Sequence, residues 1–142
     1  MQLAGLRALV TGGTQGTGAA VVARLRMAGA TMLITARHQP AQLPEGVLFA
    51  AADLATAAGC AAVADAVRDR LGGVDIIVHA VGGSSAPAGE FALSDDEEWR
   101  RALDLNLLAA VRLDRILLPE MLSRATSALG AVRGQMSDQI LL

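Results

Sequence analysis

Between Thr11 and Gly18 the chain reads Thr-Gly-Gly-Thr-Gln-Gly-Thr-Gly. An apolar run over residues 6–11 precedes this stretch, and a segment of helical periodicity over 17–29 follows it. In that context the glycines at 12, 16 and 18 have separate tasks. One turns the chain sharply off a strand. Another lets backbone approach a ligand with no Cβ in the way, and the last lets the helix pack close to the sheet. The helix start then offers unpaired N–H groups and a positive dipole end, which suit a diphosphate. Thr14 and Gln15 add side-chain donors. The candidate diphosphate set is Thr11, Gly12, Thr14, Gln15, Gly16, Thr17 and Gly18. No Lys follows the glycines, so the loop is not a P-loop. A turn with a purely structural purpose is the competing explanation.

If the loop holds a dinucleotide, the end of the second apolar run should read the adenosine ribose. A carboxylate about 20 residues past the loop would accept from the 2′-hydroxyl of NAD. Here Ala36 stands there, followed by Arg37 and His38. A carboxylate would repel a 2′-phosphate, whereas a guanidinium grips it with paired hydrogen bonds. Arg37, with His38 beside it, therefore favours NADP(H), and NAD(H) stays open. The alternatives are a solvated Arg at a strand end, or Glu45 reaching the ribose from the following loop.

These residues must be held by strands and helices. Apolar runs predict strands over 6–11, 31–36, 47–51 and 74–81. Helical spacing predicts helices over 17–29, 56–71 and 94–122. Val21, Val22, Leu25 and Ala28 form the apolar stripe of the first helix, and Gly29 ends it. Gly72-Gly73 ends the second. Ser94 and Glu97 form a capping-box pattern at the start of the third. Pro119 is expected to end or kink that helix near its last turn. Continuously apolar strands alternating with helices imply a parallel sheet covered on both faces. The expected fold class is α/β: a Rossmann-type doubly wound sheet, incomplete, with four strands and helices on both faces. Residues 1–123 read as a partial NAD(P)-binding domain and 124–142 as an atypical C-terminal tail. Val132 and Met136 mark at most a weak helical turn there, and no fifth strand is legible.

The order strand, Thr-Gly-x-x-x-Gly-x-Gly, helix near the start of the chain resembles the short-chain dehydrogenase/reductase family. The resemblance runs from residue 5 to about 123. It implies further site residues. Asp53-Leu54 resembles the family's acid-plus-aliphatic pair beside the adenine, with a helix N-cap as the other reading of Asp53. Asp75 to Gly83 resembles the family segment D-x-L-V-N-N-A-G, which lines the cofactor with backbone at Ala80, Val81 and Gly82. His79 and Ala80 replace the two asparagines, and His79 reads as a packing substitute. Asn106, in Leu-Asp-Leu-Asn-Leu, matches the family's catalytic Asn and is expected to face inward from its helix.

The family's later catalytic residues are a Ser, then a Tyr and Lys four apart. The Tyr exchanges a proton with the substrate oxygen, and the Lys lowers its pKa and holds the nicotinamide ribose. This sequence contains neither Tyr nor Lys; all 12 basic residues are Arg. Ser123, Ser127 and Ser137 lack a recognisable strand-end context. The pattern change near Arg124 reads as a truncated, frameshifted or degenerate copy of a longer frame.

The composition excludes several classes. Net charge is −2, which argues against general nucleic-acid binding. No Asp or Glu precedes Glu45, so the front of the chain is basic and suits an anionic ligand. No apolar stretch approaches the roughly 18 residues of a membrane span, and no signal peptide is legible; the cytoplasm is the expected location. The single cysteine, Cys60, forms no internal disulfide and reads as a small packing residue. Two His and one Cys, widely spaced, propose no metal site. Three functions remain open. One is an NADP(H)-dependent oxidoreductase acting between a small-molecule alcohol and carbonyl. The second is a non-catalytic nucleotide-binding remnant. The third is an interaction subunit pairing through the helix 94–122, by which the family commonly forms homo-oligomers.

Overall fold

The computed structural model describes residues 2–84 and 94–140, with side chains through 126. Four strands, β1 (Arg7–Thr11), β2 (Thr31–Ala36), β3 (Val47–Ala51) and β4 (Ile76–His79), form one sheet in the order β3-β2-β1-β4. All pairings are parallel, with Leu9 level with Leu33 and Ile77. The helices are α1 (Gly16–Met27), α2 (Ala57–Ala66), α3 (Asp96–Leu103) and α4 (Ala109–Ile140). The chain winds outward through β1, β2 and β3, then crosses back to place β4 on the other side of β1. That reversal is the switch point where ligands sit in open α/β sheets, outside the carboxyl ends of the strands.

Alternation along the strands builds two cores. Leu9 and Leu33 point to one face, where they meet Cys60, Val63 and Val67 with Leu113 and Leu117 of α4. Ala8, Val10, Met32 and Ile34 point to the other, where Val22 of α1 is buried and Val21, Leu25 and Ala28 pack alongside. Each fully buried Leu or Ile contributes about 2 kcal/mol, so β1 and β2, buried on both faces, fix the sheet. Their upstream edge is locked by charge. Asp75 accepts from the Arg7 backbone N–H at 3.0 Å and from its guanidinium at 2.9 Å. Arg124 adds a hydrogen bond to the Val74 carbonyl.

The helices differ from expectation in four places. The start of α3 is capped one residue later than Ser94-Glu97 suggests: the Asp95 carboxylate accepts from the Glu98 N–H at 2.9 Å. The helix expected over 94–122 is three pieces, because a π-helical turn, Asp104–Leu108, separates α3 from α4. A similar turn, Val67–Leu71, follows α2 before the left-handed Gly72. Pro119 does not end α4, which runs on past Arg124 to Ile140. Pro119 and Arg115, whose carbonyl it leaves without a helical partner, are both exposed, so water can reach that carbonyl. Finally, β4 is shorter than the apolar run, with Val74 and Asp75 ahead of it and Ala80 and Val81 beyond it. No helix among the described residues is long and apolar enough to cross a membrane.

Candidate functional site

The loop from β1 to α1 is shaped by its glycines in different ways. Gly12 (φ +67°) donates to the Thr35 carbonyl at 2.8 Å, and a Cβ on it would lie 2.9 Å from the Ala80 oxygen. A Cβ on Gly18 would collide with the Gly12 carbonyl, so only glycine lets α1 come this close. Gly16 (φ +52°) is the opposite case: a Cβ there would meet nothing within 4 Å. Gln15 occupies the N-cap of α1 in extended geometry but its side chain makes no capping bond, and the first turn carries no acid. The open N–H groups of α1 therefore face free space beside exposed Gln15, Gly16 and Thr17 and half-buried Thr14.

Thr11 ties the loop to the end of β4. Its buried hydroxyl accepts from the N–H of Ala80 at 3.1 Å and of Val81 at 3.3 Å, close to the Val78 carbonyl. Beyond them, a Cβ on Gly82 would stand 2.9 Å from Asn106 Oδ1. Asn106 is exposed, not inward-facing as the sequence suggested, because it rides on the π-helical turn. It is nonetheless fully engaged. Its Oδ1 accepts from Gly83 N–H at 3.0 Å, and its Nδ2 donates to the carbonyls of Gly83 at 2.7 Å and Ala102 at 2.8 Å.

At the end of β2, Arg37 and His38 are exposed. Neither side chain has a hydrogen bond or ion pair among the described residues. After β3, Asp53 is exposed and its carboxylate accepts from Ala55 N–H at 3.1 Å. Leu54 is buried in the core beside Cys60, so its side chain is packing rather than open surface. Burial pushes the Cys60 thiol up, against the pull of the Arg112 charge. The structure thus brings residues 11–18, Arg37, His38, Asp53 and 80–82 together at the carboxyl edge of one sheet.

Two side-chain links were not legible in advance. His79 is not a packing substitute: its Nε2 lies 2.8 Å from Asp114 Oδ1 of α4. Arg112 donates to the Ala55 carbonyl at 2.9 Å and to Asp104 at 2.7 Å. These pairs join segments far apart in sequence or across the π-helical turn, where helical spacing gives no signal. No cluster of three or more metal-ligating side chains occurs among the described residues.

The sequence pattern of the family described as short chain dehydrogenase matches residues 7–132. The uncharacterized oxidoreductase YvaG of Bacillus subtilis is 36% identical over 135 residues, covering 87% of this chain and 49% of the relative. The 2,3-dihydroxy-2,3-dihydro-p-cumate dehydrogenase of Pseudomonas putida is 30% identical over 134 residues, covering 87% and 51%. Among solved structures, L-sorbose reductase of Gluconobacter frateurii, complexed with NADPH and L-sorbose, superposes with a TM-score of 0.77 at 34% identity, covering 87% of this chain and 50% of that one. An NADH-dependent reductase, A1-R′, complexed with NAD, gives a TM-score of 0.81 at 26% identity, covering 89% and 56%. The chain spans about half the length of the curated relatives it matches.

Proposed function

The chain belongs to the short chain dehydrogenase family, and from that premise we propose that it binds a nicotinamide dinucleotide, NADP(H) in preference to NAD(H), along the carboxyl edge of its sheet. The observation that carries this reading is the uncapped start of α1, with Gly16 facing open space. The N–H groups of residues 16–18 take the diphosphate, with Thr14, Gln15 and Thr17 beside them. Arg37 and His38 take the 2′-phosphate; among the described residues neither side chain has a partner, which leaves the Arg37 guanidinium available. Asp53 accepts from the adenine amino group. Backbone at Ala80, Val81 and Gly82 lines the nicotinamide side, with Thr11 holding the amides of Ala80 and Val81 and Asn106 holding the adjoining Gly83.

When bound, the cofactor supplies the hydride exchanged between an alcohol and a carbonyl carbon. Completing that exchange needs a proton donor of tunable pKa at the substrate oxygen. The 142 residues contain no Tyr or Lys for the family's acid–base pair. We therefore assign them cofactor binding without turnover on their own.

Titration of the 142-residue chain with NADPH and NADH, followed by nicotinamide fluorescence, tests the proposal. Saturable binding of both is expected, tighter for NADPH. Arg37→Ala should weaken NADPH roughly tenfold, as expected for one lost charge-assisted contact, and leave NADH little changed. An equal effect on both would end the NADP(H) preference, and no saturable binding would end the proposal. Ketone-dependent NADPH oxidation above background would contradict the absence of turnover.

A further inference from the structure

We infer that Arg112 is a positioning residue that ties the loop beneath the adenine to the π-helical turn carrying Asn106, an assignment that rests on the dinucleotide reading above. Arg112 stands in the first turn of α4. One arm of its guanidinium, Nη1, donates to the carbonyl of Ala55 at 2.9 Å, two residues from Asp53. The other, Nη2, donates to Asp104 Oδ1 at 2.7 Å, in the turn Asp104–Leu108. Asn106 sits in that same turn and holds both backbone groups of Gly83. A single cation thus connects the adenine end of the candidate site, through one carboxylate and one amide, to the loop after β4.

The chemistry explains why an Arg is needed. The two acceptors belong to different segments and require two donors in a fixed fork. A Lys ammonium on a flexible stem would reach one or the other with less definition. The side chains of Arg112 and Asp104 are 26% and 34% exposed, so the pair is partly withdrawn from water. The π-helical turn widens the regular backbone ladder, so a side-chain clamp across it fixes where Asn106 points. The neighbouring link between these segments is weak: the Cys60 thiol lies 3.4 Å from the Leu54 carbonyl and 3.9 Å from that of Ala109. Arg68 offers a built-in comparison. From the turn after α2 it reaches Glu120 of α4 at 2.7 Å, but it touches neither loop.

Amide hydrogen exchange on the full chain, without ligand, tests the clamp. Arg112→Lys and Asp104→Asn should each speed exchange at the Gly83 N–H roughly tenfold, the equivalent of about one hydrogen bond. Arg68→Met should leave that amide unchanged. In NADPH titrations the first two variants should raise Kd by a similar factor, and Arg68→Met should not. The inference is overturned if Gly83 exchange is unaffected in both Asp104→Asn and Arg112→Lys, or accelerates equally in Arg68→Met. Failure of the wild-type chain to bind NADPH would instead remove the dinucleotide reading, while the exchange data would still decide whether Arg112 holds the turn.

Discussion

The turn from β1 into α1 and the turn from β3 into α2 solve the same geometric problem and differ in what they leave open. Each has a glycine, Gly18 or Gly59, whose Cβ would collide with a carbonyl at the head of the turn, of Gly12 or Asp53. The second turn closes on itself. The Thr56 hydroxyl accepts from Gly59 N–H at 2.9 Å and donates to the Asp53 carbonyl at 2.9 Å, while the Asp53 carboxylate takes Ala55 N–H. The first turn has no such cap, and its middle glycine borders free space. A helix start satisfied by its own side chains serves stability. One left unsatisfied costs stability and leaves its N–H groups open to an anion.

The largest effect should come from what the turns share. Gly18→Ala and Gly59→Ala should each destabilise the fold by about 3 kcal/mol, read as a lower urea midpoint, because backbone must move to admit the methyl group. A smaller loss at Gly18 would mean that its close approach is not required. The next effect separates the turns. Gln15→Asp would give α1 the cap it lacks and should stabilise the fold by about 1 kcal/mol, yet the new carboxylate should repel a diphosphate and weaken NADPH at least roughly tenfold. Thr56→Ala should cost about 1 kcal/mol and change NADPH affinity less than Gln15→Asp does. If both substitutions moved affinity alike, the contrast between the turns would fail.

The smallest effect belongs to the opposite edge of the sheet. Hydrogen bonds from Arg7 hold the Asp75 carboxyl below the ordinary carboxylate range. A depressed folded pKa means that this contribution is complete above about pH 4 and is lost as pH falls through the folded value. Asp75→Asn should therefore cost about 0.5 kcal/mol near neutrality, and the gap from wild type should close in acid melts. NADPH affinity should not move, since Arg7 opens β1 and Asp75 precedes β4, at the end of the sheet away from the candidate site.

The strands, the glycine loop and the order of elements were legible because each depends on local pattern. Buried β1 and β2 must be apolar on both faces, and a close turn onto a helix must use glycine. The α3 cap slipped by one residue because Asp95-x-x-Glu98 offers the same chemistry as Ser94-x-x-Glu97. The exposure of Asn106 was hidden because a π-helical turn inserts a residue that the 3.6 period does not register. Arg112 to Ala55 and His79 to Asp114 span 57 and 35 positions, so only tertiary packing brings them together. Pro119 does not end α4 because it lies on the exposed side of that helix, where water can take the freed carbonyl.

Backbone amide shifts during an NADPH titration of the 142-residue chain measure the central claim most directly. The amides of Gly16, Thr17 and Gly18 should shift most and saturate together, with those of Ala57 to Gly59 at the capped turn nearly still. Saturating NADPH that leaves residues 16–18 unmoved, or moves the capped turn as much, would contradict the account.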